Sequence, residues 1–258
     1  MSFFKKGMAT VFGIGGTKVD TIVHSTEIRP GEEVFGVCRI KGGSVEQEIR
    51  KITLNVRTSY KKESGDSTTT VYTTLQRIPI HVSGTVEPGT IEEVPFSFIL
   101  DYKTPVSMNK SKVWISTDLD IAKAVDSGDK DYIKVLPSYP IEAVLEAVAG
   151  LGFRLREVEN EYDSKRISPL DFVQEFEFVP YEGDFRGRLD ELEVIIIPNQ
   201  YGLELRIEVD RKARGLKGIM FESLGLDEKN VKIEVDYNSL SVRNIQRAIY
   251  EVINNSLY

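Results

Sequence analysis

The chain has one cysteine, two histidines and one tryptophan among its 258 residues. A lone thiol, Cys38, can form neither an internal disulfide nor a Cys-x-x-Cys metal clip, which fits a reducing compartment. His24 and His81 lie far apart, each in a stretch that reads as an alternating strand, and too few partners surround them for a zinc site or a hydrolase triad. The expectation is therefore no catalytic set, no metal and no cofactor. No apolar run approaches the roughly 20 residues that cross a bilayer. The amino-terminal run is broken by Gly13, Gly15 and Gly16 and lacks a signal-peptide cleavage pattern, so a cytoplasmic location is expected. Positive charge is also short: 33 Lys and Arg against 40 Asp and Glu give a net charge of −7. That average field repels phosphate backbones, and no nucleic-acid partner is expected.

What is present is a globular balance, 41% hydrophobic and 28% charged. Two-sheet domains close at about 100 to 130 residues, so this length suits two of them plus a tail. The dominant pattern is period-two alternation between turn residues, which sends one side of each segment into a core. Ile52, Leu54, Val56 and Tyr60 alternate with polar residues, and Glu63 to Ser67 reads as the turn of a hairpin returning through Val71 to Leu75. Pro95 to Leu100 and Lys112 to Ile115 add strands; Phe172 to Phe178, Glu193 to Ile197, Leu203 to Val209 and Val231 to Val235 repeat the pattern later. The fold class is read as all-β: two antiparallel β-sandwich domains over 1–137 and 138–237, joined by short helices, then an amphipathic helical tail over 238–258.

Three segments run at helical spacing. Ile141, Val144, Leu145, Val148 and Leu151 follow Pro140 and stop at Gly150 and Gly152, as helix ends prefer. Leu216, Ile219, Met220 and Leu224 suggest a short helix before Gly225. In the tail, Val242, Ile245, Ile249 and Val252 form a stripe with Ser239 or Ser241 as N-cap, which predicts a helix near 242–256. A helix so short must bury its stripe on its own domain, on a second copy as a homodimer, or on a partner; the stripe is a candidate partner-binding surface.

Two Pro-Gly turns about 50 residues apart, Pro30-Gly31 and Pro88-Gly89, feed strands; Pro fixes φ for the second turn position and Gly takes the positive φ that follows. The pair resembles an amino-terminal arrestin domain. A longer set of segments, among them Ser2-Phe3-Phe4-Lys5-Lys6, Lys18-Val19-Asp20-Thr21, Ser111-Lys112-Val113-Trp114, Leu151-Gly152-Phe153-Arg154 and Phe172-Val173-Gln174-Glu175-Phe176, is similar to the bacterial sporulation-control family, the stage-zero sporulation M proteins. The resemblance spans about residues 2 to 235. It implies an arrestin-like scaffold in the bacterial cytoplasm that influences sporulation, and cell division or shape, through protein contacts, with no known catalytic residues. The chain departs from arrestin domains at Asp101, where they often carry Pro, and the tail from Tyr237 matches no recognised pattern.

The remaining chemical signals are each set against a plainer reading. Gly13-Ile14-Gly15-Gly16-Thr17-Lys18 mimics a phosphate loop, but Gly13 stands where an Asp is needed and no βαβ pattern follows. Asp126, Asp129 and Asp131, near Asp118 and Asp120, lack the spacing of a calcium loop and read as an exposed acidic turn. Arg186, Arg188, Arg211, Lys212 and Arg214 form a basic patch that could dock a phosphoprotein or a lipid headgroup, against ordinary surface ion pairing. Phe3 and Phe4 beside Lys5 and Lys6 could lie in a membrane interface, against packing on the chain's own sandwich. The function expected is a non-enzymatic scaffold with protein partners, gripping them by edge strands, interdomain groove or tail. The alternatives are a carboxylate-dependent enzyme, for which no Glu pair stands in an evidently pKa-raising setting, and a carbohydrate-binding sandwich, which the single Trp disfavours.

Overall fold

The computed structural model describes residues 16–25, 27–65, 67–82, 84–121, 127–211 and 229–257. The fold class is all-β with short helices and a C-terminal helix, as the alternation requires. In the first half, β1 (Lys18–Val23), β3 (Glu33–Lys41) and β7 (Ile91–Ile99) form an antiparallel three-stranded sheet in the order β1-β3-β7. It faces a larger sheet built on β4 (Gln47–Ser64), which pairs with β5 (Ser67–Ile80) and β6 (Gly84–Val86) on one side and β8 (Val113–Ile121) on the other; β9 (Ser127–Val135) and the two-residue β2 (Glu27–Ile28) continue beyond β8. β4 and β5 make the expected hairpin, closed at Gly65, whose φ is 58°.

Alternation decides which face of β4 is inside. Ile52, Leu54 and Val56 are fully buried against Val34, Cys38, Ile40 and Phe96 of the smaller sheet's layer, each stabilising the fold by about 1.5–3 kcal/mol. The two Pro-Gly reversals behave as their chemistry demands: Gly31 and Gly89 have φ of 89° and 71°, and hydrogen bonds from Glu32 N to Arg29 O and from Thr90 N to Glu87 O close the turns.

The second half is an antiparallel series, β10 (Phe153–Tyr162), β11 (Phe172–Pro180), β12 (Leu189–Pro198), β13 (Gly202–Arg211) and β14 (Lys229–Asp236). It continues the larger sheet, because Glu161 on β10 pairs in parallel with Lys61 on β4. Among the described residues, eleven strands thus share one hydrogen-bonded sheet. Among the described residues the layer set against β10–β14 is helical: α1 (Tyr139–Ala149) and α2 (Val242–Ser256) pack on each other and on the sheet. Val144, Ala147 and Val148 of α1 meet Ile245, Ile249 and Ile253 of α2 in a core with Phe176, Leu192, Val194, Leu205 and Ile207. α1 ends at Gly150, and Gly152, with φ of 87°, turns the chain into β10; a Cβ there would stand 2.3 Å from Glu182 O.

The helix expected around Leu216 to Leu224 lies outside the described residues. His24 and His81 sit one residue past the ends of β1 and β5, both exposed, and not within strands as expected. Pairing stops there, so the alternating pattern runs past the last ladder residue by one.

Candidate functional site

One face of β10–β13 fills the core, and the same alternation loads the other with carboxylates. Phe176 and Phe178, Leu192 and Val194, and Leu205 and Ile207 point inward; Glu175 and Glu177, Glu191 and Glu193, and Glu204 and Glu208 therefore point out. Register then aligns them. Glu157 pairs with Glu177, Glu177 with Glu193 and Glu193 with Glu208, a row of four carboxylates across four strands. Like charges directly opposite one another destabilise a sheet, so the row needs compensation.

Part of that compensation comes from cations on its flanks. Arg156 reaches Glu177 at 2.6 Å and Glu191 at 2.5 Å, and Lys110 bridges Glu157 and Glu159. Lys232 lies 2.9 Å from Glu204 and 3.0 Å from Glu234, and Arg206 is 2.8 Å from Glu204. Burial, followed by repulsion from Glu175, Glu208, Glu191 and Glu177, pushes Glu193 up to about 8. Burial, then the neighbouring carboxylates, takes Glu175 and Glu161 each up to about 7.

Glu175, Glu193 and Glu208 line an open depression with Lys165, Ile167, Ile195 and Arg206. This corrects the expectation that no Glu pair stands where its pKa would rise. The signal was invisible in one dimension, because these residues are brought together by strand register. Carboxyls that titrate near neutrality can pass protons, so this face offers candidate residues for a carboxylate-based reaction. No group of three or more His, Cys, Asp or Glu among the described residues is arranged to hold a metal ion.

The residues singled out in the sequence fall elsewhere. Ile245 and Ile249 of the tail stripe are 3% and 0% exposed inside the second core, with Val242 and Val252 packed at its margin. The stripe is thus occupied by α1, β13 and β14 of the same chain, and α2 turns Arg243, Asn244, Arg247 and Glu251 outward. Of the basic patch, Arg186 is exposed and Arg188 half-buried in the β11–β12 connection; Arg211 ends β13, and Lys212 and Arg214 lie outside the described residues. So do Phe3, Phe4, Lys5, Lys6 and the glycines from Gly13 to Gly15. Asp118 and Asp120 are on β8 and Asp129 and Asp131 on β9, in strands and not in a turn, while Asp126 is outside the described residues. Asp129 accepts a 2.7 Å hydrogen bond from Thr21 N, which ties β9 to β1.

A second group was missed because three apolar residues in a row, Val113, Trp114 and Ile115, hid the alternation of β8. Val113 and Ile115 enter the core; Trp114 points to the opposite face. There Tyr72 meets it edge-on at 6.0 Å, Tyr132 lies 6.0 Å away, and Lys130 Nζ sits 4.2 Å above its ring. Tyr72 and Tyr132 are 62% and 60% exposed.

With this architecture in place, comparison with known proteins gives a consistent result. The model of the Spo0M family, described as SpoOM protein, matches residues 4–213. The sporulation-control protein spo0M of Bacillus subtilis (strain 168) is 41% identical over 254 residues, 98% of each chain. The crystal structure of Spo0M from Bacillus subtilis superposes with a TM-score of 0.82 at 36% identity, covering 94% of this chain and all of that one. The chain belongs to the Spo0M family of sporulation-control proteins.

Proposed function

We infer that the chain takes part in controlling sporulation as a non-catalytic, arrestin-like adaptor of the cytoplasm, acting through protein partners. Its family supports the sporulation role. The observation that carries the adaptor reading is the division of labour in the large sheet. In each half one face is spent on a core. Among the described residues the other is left open, with aromatic and cationic side chains over β5, β4, β8 and β9 and carboxylates over β10–β13. A broad face of mixed chemistry suits recognition of a macromolecule better than enclosure of a small substrate. Site-specific photo-crosslinking in sporulating cells tests this. A photoreactive residue at Tyr72, Tyr132 or Glu177 should give discrete protein adducts, and no adduct from any of the three positions contradicts the reading.

A second reading, a carboxylate-dependent enzyme, is favoured by one observation: Glu175 and Glu193 share a depression and are both raised toward neutrality. Glu175→Gln with Glu193→Gln separates the two. The double variant sporulates normally if the chain is an adaptor held by its other surface, and loses function if proton transfer is required.

A further inference from the structure

The outer face of the first half's large sheet contains an arginine that no described carboxylate pairs. Because Ile52, Leu54 and Val56 of β4 face the core, Asn55 and Arg57 face out. The register sets them in two adjacent rows: Thr74–Arg57–Trp114–Tyr132, and Arg77–Asn55–Ser116–Lys130. Arg57 Nε is buried without a hydrogen-bond partner, and so is Ser116 Oγ in the next row. Among the described residues no carboxylate pairs with Arg57, Arg77 or Lys130, and Asp118, on the same face, is engaged by Asn55 Nδ2 at 2.9 Å.

Arg57 is set apart by that buried, unsatisfied Nε in an acidic chain. Acidic residues outnumber basic ones, 40 to 33, and Arg39, Arg156 and Arg206 are each held by a glutamate. An unpaired guanidinium with a desolvated Nε carries a cost that an incoming acceptor would remove. Its neighbours define the acceptor. A guanidinium presents parallel N–H groups that match a planar carboxylate, and Arg77 and Lys130 add positive charge along the adjacent row. Tyr72 and Tyr132 stand exposed around the nearly buried Trp114 and offer ring faces and edges to apolar side chains. The charge is opposite to that of β10–β13.

We propose that the face formed by Arg57, Arg77, Lys130, Tyr72, Trp114 and Tyr132 docks an acidic, aromatic-containing segment of a partner protein, with a carboxylate of that segment seated on Arg57. The inference rests on the adaptor reading and names the partner chemistry for one of its surfaces. It is tested with the full chain and two fluorescein-labelled probe peptides, one of alternating Glu and Tyr and one of alternating Gln and Tyr, by fluorescence polarisation. The Glu peptide should bind wild type about tenfold more tightly than the Gln peptide. Arg57→Met should abolish that preference, Arg57→Lys should lose most of it because the fork is gone, and Tyr132→Ala should weaken both peptides. Thermal melts confirm that each variant folds, and Tyr132→Ala and Arg77→Ala supply the test if Arg57→Met does not. Equal binding of the two peptides by wild type, or an unchanged preference in folded Arg57→Lys, overturns the proposal. So does salt-sensitive self-association of wild type that Arg57→Met abolishes, since the occupant is then a second copy of the chain. If the peptides fail while photo-crosslinking from Glu177 still yields adducts, this surface is wrong and the adaptor reading stands.

Discussion

Asn160 Nδ2 donates a 3.1 Å hydrogen bond to Thr58 Oγ1, tying β10 of the second half to β4 of the first. The bond belongs to a buried network that crosses the junction. Asn160 also donates to Ser59 O at 3.1 Å, Gln174 Nε2 donates to Asn160 Oδ1, Ser111 Oγ and Val106 O, and Val106 N donates back to Gln174 Oε1. Thr58 Oγ1 donates to Lys112 O at 2.8 Å. The β4–β10 ladder has one register pair, Lys61 with Glu161, so this side-chain network helps hold the halves in register.

Replacing a member strands the rest. Asn160→Leu should cost about 1–3 kcal/mol, because Thr58 and Gln174 lose partners in a site closed to water. Gln174→Leu should cost a similar amount, and the double variant less than their sum, since both act on one network. Urea unfolding monitored by tryptophan fluorescence measures this; strictly additive losses would contradict it.

The tail is part of the core. Ile249→Ala should lower stability by about 2–5 kcal/mol, the cost of a cavity between α1, α2 and the sheet. Arg243→Ala, on the outward side of α2, should stay within about 0.5 kcal/mol of wild type. Denaturant midpoints for the pair decide the point, and equal midpoints would mean that the stripe is not packed as described.

The raised carboxyls give the stability a definite pH dependence. Unfolded, Glu161, Glu175 and Glu193 ionise near 4.5; folded, they ionise at about 7, 7 and 8. The folded chain therefore holds more protons than the unfolded one between those limits. The stabilisation is complete below the unfolded value and is lost as pH rises through 7 to 8. Arg156, Lys110 and Lys232 are pushed up by their glutamate partners, remain charged throughout and set no step in this window. Glu193→Gln, which removes the repulsion, should raise the melting temperature by about 2–4 °C near pH 9 and by less near pH 5. An equal shift at both would contradict the assignment.

Cys38 reports global unfolding. It is fully buried, and desolvation, with a smaller contribution from Asp129, outweighs the hydrogen bond shared with Thr21 and pushes the thiol up to about 11. In native conditions a disulfide reagent should react at a rate set by opening of the first core, and in denaturant at the rate of a free thiol. Fast native labelling would show that the layers around Cys38 separate readily.

What was legible in the sequence and what was not divide along one physical line. Strands and helices follow from local spacing, so Phe172 to Phe178 read as a strand, and the stripe from Val242 read as a helix over the residues that α2 occupies. Pro30-Gly31 and Pro88-Gly89 announced their turns because φ preferences are local. Register is not local. Glu177, Glu193 and Glu208 are each about 15 residues apart and meet only because β11, β12 and β13 pair as they do. Arg57, Trp114 and Tyr132 were missed for the same reason, as was the helical layer over β10–β14, which needs the tail to fold back onto α1.

The central claim is that the open face of the large sheet, and not a chemical step, carries the function. The most direct measurement is sporulation frequency in cells whose own copy is replaced by Arg57→Met with Tyr132→Ala, at matched protein level and with a wild-type melting temperature. The account predicts loss of sporulation control in that strain and normal control in one carrying Glu175→Gln with Glu193→Gln. Normal control in the first strain and loss in the second would contradict it.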